Sequence, residues 1–303
     1  MKRICFYHSA DLDGHCSGAI VAKRIKGIEL RGIDYGDQFP WEDVPAGSVV
    51  YMVDFCLQPF SDMVCLRDWL RSSLGALVWV DHHKSAIDAY VNYLEDGGSE
   101  IEGNRHVEMA GCELTWKLMF PQTRMPDVVR LLGRHDVWDH RDPDTEPLQY
   151  GMRLHETRPE KSAAFWAMLL EDGGPGRGQM CAMLETGKQI MRYQRLQDDI
   201  YARSCAFVTR LDGLRLLAVN RACANSKAFD GIWPEYSRRA DVKALFAWHR
   251  DRWKVILYSE PGGPDVSIVA KAHGGGGHRN AAGFTCAVLP FETGQPLMGV
   301  VGE

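Results

Sequence analysis

The sequence predicts an α/β fold: an N-terminal, mostly parallel sheet flanked by helices, a connecting helix, and a smaller C-terminal α/β domain. Three observations predict it. Short apolar runs rich in β-branched and aromatic residues alternate with helix-length segments through residue 81. Such strand–helix–strand alternation implies right-handed crossovers and parallel pairing. A Gly/Pro-rich stretch at 171–178 then punctuates the chain, and strand-like runs return in its last third. At 303 residues the chain has the length of two domains, each with a core of its own.

Residues 3–8 read as a buried strand, and 14–26 as a helix closed by Gly27. Residues 48–54 form a second apolar run. Pro59 suits the start of a helix whose Phe60, Met63, Val64, Leu66, Trp69 and Leu70 make one broad apolar face. Residues 75–81 form a third run, and 108–138 are mostly helical with breaks at Pro121 and Pro126. The glycines at 173–178 read as linker and 179–203 as the connecting helix. Strands are expected at 214–219, 242–248, 254–258 and 266–270. Four glycines at 274–277 follow, and then a helix beginning near 279–282. The expected division is an N-terminal domain over 1–172, linker and connecting helix over 173–203, and a C-terminal domain over 204–303.

Lys and Arg number 35 and Asp and Glu 40, a formal charge of −5. That balance argues against a protein that grips long duplex DNA by neutralising phosphates, but leaves room for a small anionic substrate. Nine cysteines without a C-x-x-C pair read as reduced thiols of a cytoplasmic protein. The apolar stretch after Lys2 and Arg3 is cut by His8, Asp11 and Asp13, too short for a signal peptide, and no run has the length of a membrane span.

The position of the acids carries the chemistry. The first run leads into His8, Asp11 and Asp13, the second ends at Asp54, and the third at Asp81-His82-His83. In an open α/β sheet, ligands bind beyond the carboxyl ends of the strands. Three parallel strands therefore deliver three carboxylate-bearing tips to one crevice, where mutual repulsion is relieved by a divalent cation. Oxygen and imidazole donors without thiolate lean towards a manganese-like ion. Two ions, about 3.5–4 Å apart, would share a carboxylate, and Asp54, alone on the middle run, is the candidate bridge. His135 and His140 lie five apart and lack the pattern of a zinc-protease helix.

These residues resemble the DHH phosphoesterases. The family's motifs correspond to His8 with Asp11-Leu-Asp13-Gly14, then Asp54, then Asp81-His82-His83, then Asp136 within Gly133-Arg-His-Asp-Val-Trp138. Its C-terminal associated domain carries a Gly-rich His motif, similar to Gly274-Gly-Gly-Gly-His278-Arg-Asn-Ala-Ala-Gly283 here. The chain departs from the pattern at His8, which stands two residues before Asp11 where relatives have one or three.

The resemblance implies two manganese ions, with magnesium as the substitute. Asp11 and His8 would hold one, Asp13, His82 and Asp136 the other, with Asp54 between them. Asp81 would orient its neighbouring histidine, and His83 would face substrate as anchor or proton donor. Gly275, Gly276, Gly277, His278 and Arg279 would bind the substrate end, aided by the amides of the helix expected there. The implied activity is in-line attack of a metal-bound hydroxide on short oligoribonucleotides, as a 3′-to-5′ exonuclease of the oligoribonuclease-like branch. Signalling nucleotides, nucleoside bisphosphates or polyphosphate are the alternative substrates. A non-catalytic nucleotide-binding regulator is the alternative of another class. The partner expected is a short oligonucleotide or nucleotide, with a homo-oligomer compatible and neither membrane nor long duplex DNA.

Overall fold

Strand β1 (Arg3–His8) sits inside a parallel sheet, with β2 (Glu29–Ile33) on one side and β3 (Val49–Val53) on the other; β4 (Ala76–Val80) pairs beyond β3. The computed structural model describes residues 2–171 and 173–294. Alternation along β1 explains its central place. Ile4 and Phe6 face a core shared with Val50, Met52, Leu77 and Trp79, while Cys5 and Tyr7 face a second core with Val53 and Val80. A parallel sheet buried on both faces needs helices on both. They are α1 (Leu12–Arg24), α2 (Phe60–Ser72), α3 (Lys84–Glu95), α4 (Gly111–Met119), α5 (Asp127–Asp136), α6 (Thr145–Met152) and α7 (Ala163–Leu169). Residues of α2 and α3 fill the first core, and those of α1 and α4 to α7 the second.

Helix α8 (Gly174–Cys205) follows, and the chain divides into two compact units at Met1–Ile190 and Met191–Glu303. The expected domain limits at residues 1, 172 and 303 lie outside the described residues. Within the second unit, β5 (Phe207–Leu211), β6 (Leu214–Asn220), β7 (Val242–His249), β8 (Arg252–Tyr258), β9 (Gly276–His278) and β10 (Ala281–Cys286) form one mixed sheet, ordered β5-β6-β7-β8-β10-β9. Among the described residues of this sheet only β6 and β7 pair in parallel, and short α9 (Trp233–Tyr236) lies on the crossover between them. Helix α10 (Val266–Ala272) packs on one face and the end of α8 on the other. The α/β class stands in both units. Among the described residues no helix is long and apolar enough to cross a membrane.

Three expected elements are corrected. Residues 266–270 form a helix, not a strand. Val266, Val269 and Ala270 are buried while Ile268 is exposed, a spacing of three and four, and Asp265 caps the start through Ser267 N at 3.0 Å. No helix begins near Arg279: Arg279 and Asn280 form the turn of a hairpin in which His278 pairs with Ala281. Residues 174–178 are the first turns of α8 rather than a linker, with Pro175 placed where a missing N–H costs nothing. The sequence reading also passed over β2.

Candidate metal centre

Parallel register aligns the carboxyl ends of the strands. His8 of β1 pairs with Ile33 of β2, and Tyr7, Val53 and Val80 lie in one row. His8, Asp34, Asp54 and Asp81 therefore emerge along a single sheet edge. Asp11 and Asp13 open α1 beside it, and Asp136 ends α5. His8, Asp13, Asp54 and Asp81 are all buried.

Asp54 occupies the middle. Its Oδ1 lies 3.2 Å from His82 Nε2, and its Oδ2 lies 3.7 Å from His8 Nδ1. His82 Nε2 also lies 3.2 Å from Asp136 Oδ2 and 3.8 Å from Asp13 Oδ2. His8 Nδ1 is 3.2 Å from Asp11 Oδ2, and its Nε2 is 3.2 Å from Asp34 Oδ1. Three donor triads result, His8–Asp11–Asp54, Asp13–His82–Asp136 and Asp54–His82–His83, each with one atom per residue inside a 4.8 Å span; the third shares Asp54 with the first and His82 with the second. Asp54 turns one oxygen towards each histidine. Its backbone stands at φ 56°, the left-handed region, at the end of a buried strand.

The donor atoms approach one another without hydrogen-bonding. Among the described residues His8 Nδ1 and Asp54 Oδ1 are buried and lack a hydrogen-bond partner, despite these distances. Buried polar atoms ordinarily find partners, and converging lone pairs of carboxylate and imidazole are what a cation collects. The residues present fit a divalent ion on that ground.

The surrounding chain fixes the donors. Asp13 accepts from Gly111 N at 2.8 Å and Cys112 N at 2.9 Å, two free amides in the first turn of α4. A Cβ at Gly111 would stand 2.6 Å from Asp54 Oδ1, so glycine is what lets this helix end reach the cluster. Asp81 Oδ1 accepts from His82 N at 2.7 Å, His83 N at 3.1 Å and His83 Nδ1 at 2.7 Å. The ring that Asp81 orients is thus that of His83, while His82 is held by its backbone. That bond sets the His83 tautomer, with Nδ1–H donating and Nε2 left to face outward.

Electrostatics follow from the crowding. Burial opposes charge on His8, yet Asp11 and Asp54 outweigh it and push its pKa up to about 10. Burial likewise opposes charge on His82, and Asp54 and Asp136 raise it to about 8. Asp54 is buried but held at about 2 by His8 and His82. Burial and the neighbouring carboxylates lift Asp136 to about 6, and lift Asp13 well above the usual carboxylate range. Two imidazolium charges are the protein's own compensation for four crowded carboxylates.

Sequence reasoning missed Asp34 and Tyr35. Asp34 follows β2, and Tyr35 adds an aromatic wall, its ring 5.5 Å from His8, 4.7 Å from Phe55 and 5.9 Å from His83. The acid after a strand was the available signal, hidden because β2 itself was not read.

Gly275, Gly276, Gly277, His278 and Arg279 lie in the second unit. The last two sit at the β9–β10 turn, where Arg279 bonds the Gly263 carbonyl at 3.2 Å and approaches Asp265 at 3.7 Å. An open groove of about 480 Å3 is lined by Gly274 and Gly275 together with Lys254, Tyr258 and Thr285.

No family model matches the chain. It is 24% identical over 238 residues to uncharacterized protein R106 of Acanthamoeba polyphaga mimivirus, covering 72% of this chain and 50% of that protein. The chain thus spans about half the length of the curated relative it matches. Among solved structures it is similar to the pGpG-specific phosphodiesterase PggH of Vibrio cholerae, with 14% identity, TM-score 0.48 and coverage of 95% and 93% of the two chains. It is also similar to an uncharacterized protein of Helicobacter pylori G27, with 13% identity, TM-score 0.44 and coverage of 97% and 96%. At these values the functional reading rests on the site itself.

Proposed function

We propose that the chain is a divalent-metal-dependent phosphoesterase of the DHH type, acting on short oligoribonucleotides from the 3′ end. The observation that carries the reading is the set of donor triads linked through Asp54 and His82, with His8 Nδ1 and Asp54 Oδ1 buried and without hydrogen bonds. The sequence resemblance to DHH phosphoesterases supports it, residue by residue, at His8, Asp11, Asp13, Asp54, Asp81, His82, His83 and Asp136. Manganese or magnesium, when bound, would lower the pKa of a water nucleophile and neutralise charge on the phosphoryl oxygens.

The chain's own residues do the rest. His8 and Asp11 would hold one ion and Asp13, His82 and Asp136 the other, with Asp54 bridging. The α4 amides fix Asp13 so that its remaining lone pairs keep their direction. Asp81 holds His83 in one tautomer and, against burial, raises its pKa. A protonated His83 is suited to donate to the oxygen that leaves phosphorus. The backbone of 275–277 with His278 and Arg279 would bind the substrate end, through side chains and strand amides rather than a helix terminus. Reduced thiols are consistent with a cytoplasmic setting.

The test is a panel of di- to pentaribonucleotides, cyclic and linear signalling dinucleotides, nucleoside bisphosphates and polyphosphate, with manganese and with magnesium. Preference for the ribonucleotides, shortened from the 3′ end, is expected. Preference for signalling dinucleotides would replace the substrate and keep the chemistry. Absence of metal-dependent turnover on every member would sink the enzyme reading.

A further inference from the structure

A cavity of about 390 Å3 opens beside the carboxylate cluster, with Asp11, Asp13 and Asp136 in its lining. Its volume is within the range that receives a small ligand. Leu12 and Leu132 supply apolar surface, while Gln149 and Arg153, from α6 and its end, supply polar groups. His15 and Thr157, also in the lining, are spent on each other: Nδ1 to Oγ1 is 2.9 Å, and His15 Nε2 meets the Ser9 carbonyl at 3.1 Å.

Gln149 is different. Its residue is 6% exposed, it lines the cavity, and among the described residues its side-chain amide makes no hydrogen bond. The residue is buried but its amide atoms are not sealed off: they are reached from the cavity, where donor and acceptor stand open to a ligand. Arg153 at the rim has no carboxylate partner among the described residues; its guanidinium lies 5.8 Å from the Tyr150 ring centroid. His155, the next polar lining residue, is stacked on Phe165 with ring centroids 5.3 Å apart.

The chemistry distinguishes the ligand. An amide offers a donor and an acceptor side by side. A phosphate would satisfy the donor alone and leave the carbonyl oxygen facing negative charge. A nucleobase edge satisfies both, and a neutral ring beside Asp11, Asp13 and Asp136 adds no like charge. Arg153 can cover the ring face or bond its acceptors. We propose that this cavity receives a nucleobase of the substrate, with Gln149 reading its edge and Arg153 closing over it. The inference rests on the phosphoesterase reading only for the base's relation to the phosphate being cleaved.

The experiment measures binding of adenosine, guanosine, cytidine and uridine, with ribose and inorganic phosphate as controls, to the full chain without added metal. At least one nucleoside should bind, ribose should not, and Gln149→Leu should weaken binding by about tenfold, the worth of a paired hydrogen-bonding group. Arg153→Ala, at an exposed position that leaves the core intact, should weaken it several-fold. Nucleoside binding untouched by both substitutions overturns the proposal. So does binding of phosphate alone, abolished by Arg153→Ala, which would make this an anion pocket. Turnover of bis(p-nitrophenyl) phosphate with manganese is measured separately on the unsubstituted chain. Nucleoside binding without turnover upholds the cavity and overturns the enzyme; turnover without nucleoside binding does the reverse.

Discussion

Adding manganese to the metal-free chain at pH 7 should release protons. Without a cation, Asp11 and Asp54 override the effect of burial and hold His8 protonated up to about pH 10. Asp54 and Asp136 do the same for His82 up to about pH 8. An imidazole nitrogen cannot hold a proton and a metal at once, so ligation must displace both protons. At pH 7 His8 is fully and His82 about nine-tenths protonated, giving a release of about two protons for the filled site. Apparent affinity for each ion should therefore climb about tenfold per pH unit near pH 7, and for the ion held by His82 should level off above pH 8. The same shifts fix a stability trend. Folded-state pKa values raised above 6.5 stabilise the metal-free fold below that pH, and the gain is lost as pH rises through 8 and then 10. Melting temperature of the metal-free chain should fall across that window. The assay is titration calorimetry in Pipes, Mops and Hepes at one pH, where the slope of heat against buffer ionisation enthalpy counts protons. A slope near zero with metal bound would show that His8 and His82 carry no displaceable proton at pH 7, and would refute the reasoning from the crowded carboxylates.

Three substitutions probe separate parts of the assembly. Asp54→Ala should lower turnover at least about a hundredfold, as loss of a group acting on developing charge does, and near-normal rates would remove Asp54 from the centre. His83→Ala should reduce kcat by about 10²–10⁴ and flatten the basic limb of the pH–rate profile, with metal stoichiometry by calorimetry unchanged. His278→Ala should raise KM while metal occupancy stays intact. Loss of metal from that variant would contradict the assignment of substrate binding to the second unit.

Strands β1, β3 and β4 and the acids that end them were legible because both follow from one physical fact. A strand covered on both faces must be continuously apolar, so residues 3–8, 48–54 and 75–81 stand out, and the first polar residue beyond each marks the strand end. The edge strand β2 had no such signature. Glu29, Leu30 and Arg31 are half-buried and Gly32 exposed, and a strand covered so little reads as loop. Asp34 was lost with it. Residues 266–270 failed for the opposite reason: β-branched composition suggested a strand, while the spacing of Val266, Val269 and Ala270 made a helix. The approach of α4 to Asp13 was not legible at all, since Gly111, whose amide Asp13 accepts from, stands 98 positions further along the chain, and only tertiary packing joins them.

Asp11 shows why a structural and a functional reading of one acid need not compete. The residue caps α1, its Oδ1 accepting from Gly14 N at 3.0 Å, the ordinary reason for an aspartate at a helix start. Its other oxygen stands 3.2 Å from His8 Nδ1, in the first donor triad. A carboxylate has two oxygens, and here one serves the fold and the other the site. Serine separates them, because its hydroxyl caps a helix about as well as aspartate but offers no second oxygen. Asp11→Ser should therefore keep stability within about 1 kcal/mol by denaturant unfolding of the metal-free chain. It should also weaken manganese binding by at least about tenfold in the same buffer. Asp11→Ala should lose both. If Asp11→Ser binds manganese as tightly as the unsubstituted chain, the second oxygen has no part in the centre, and capping alone accounts for this aspartate.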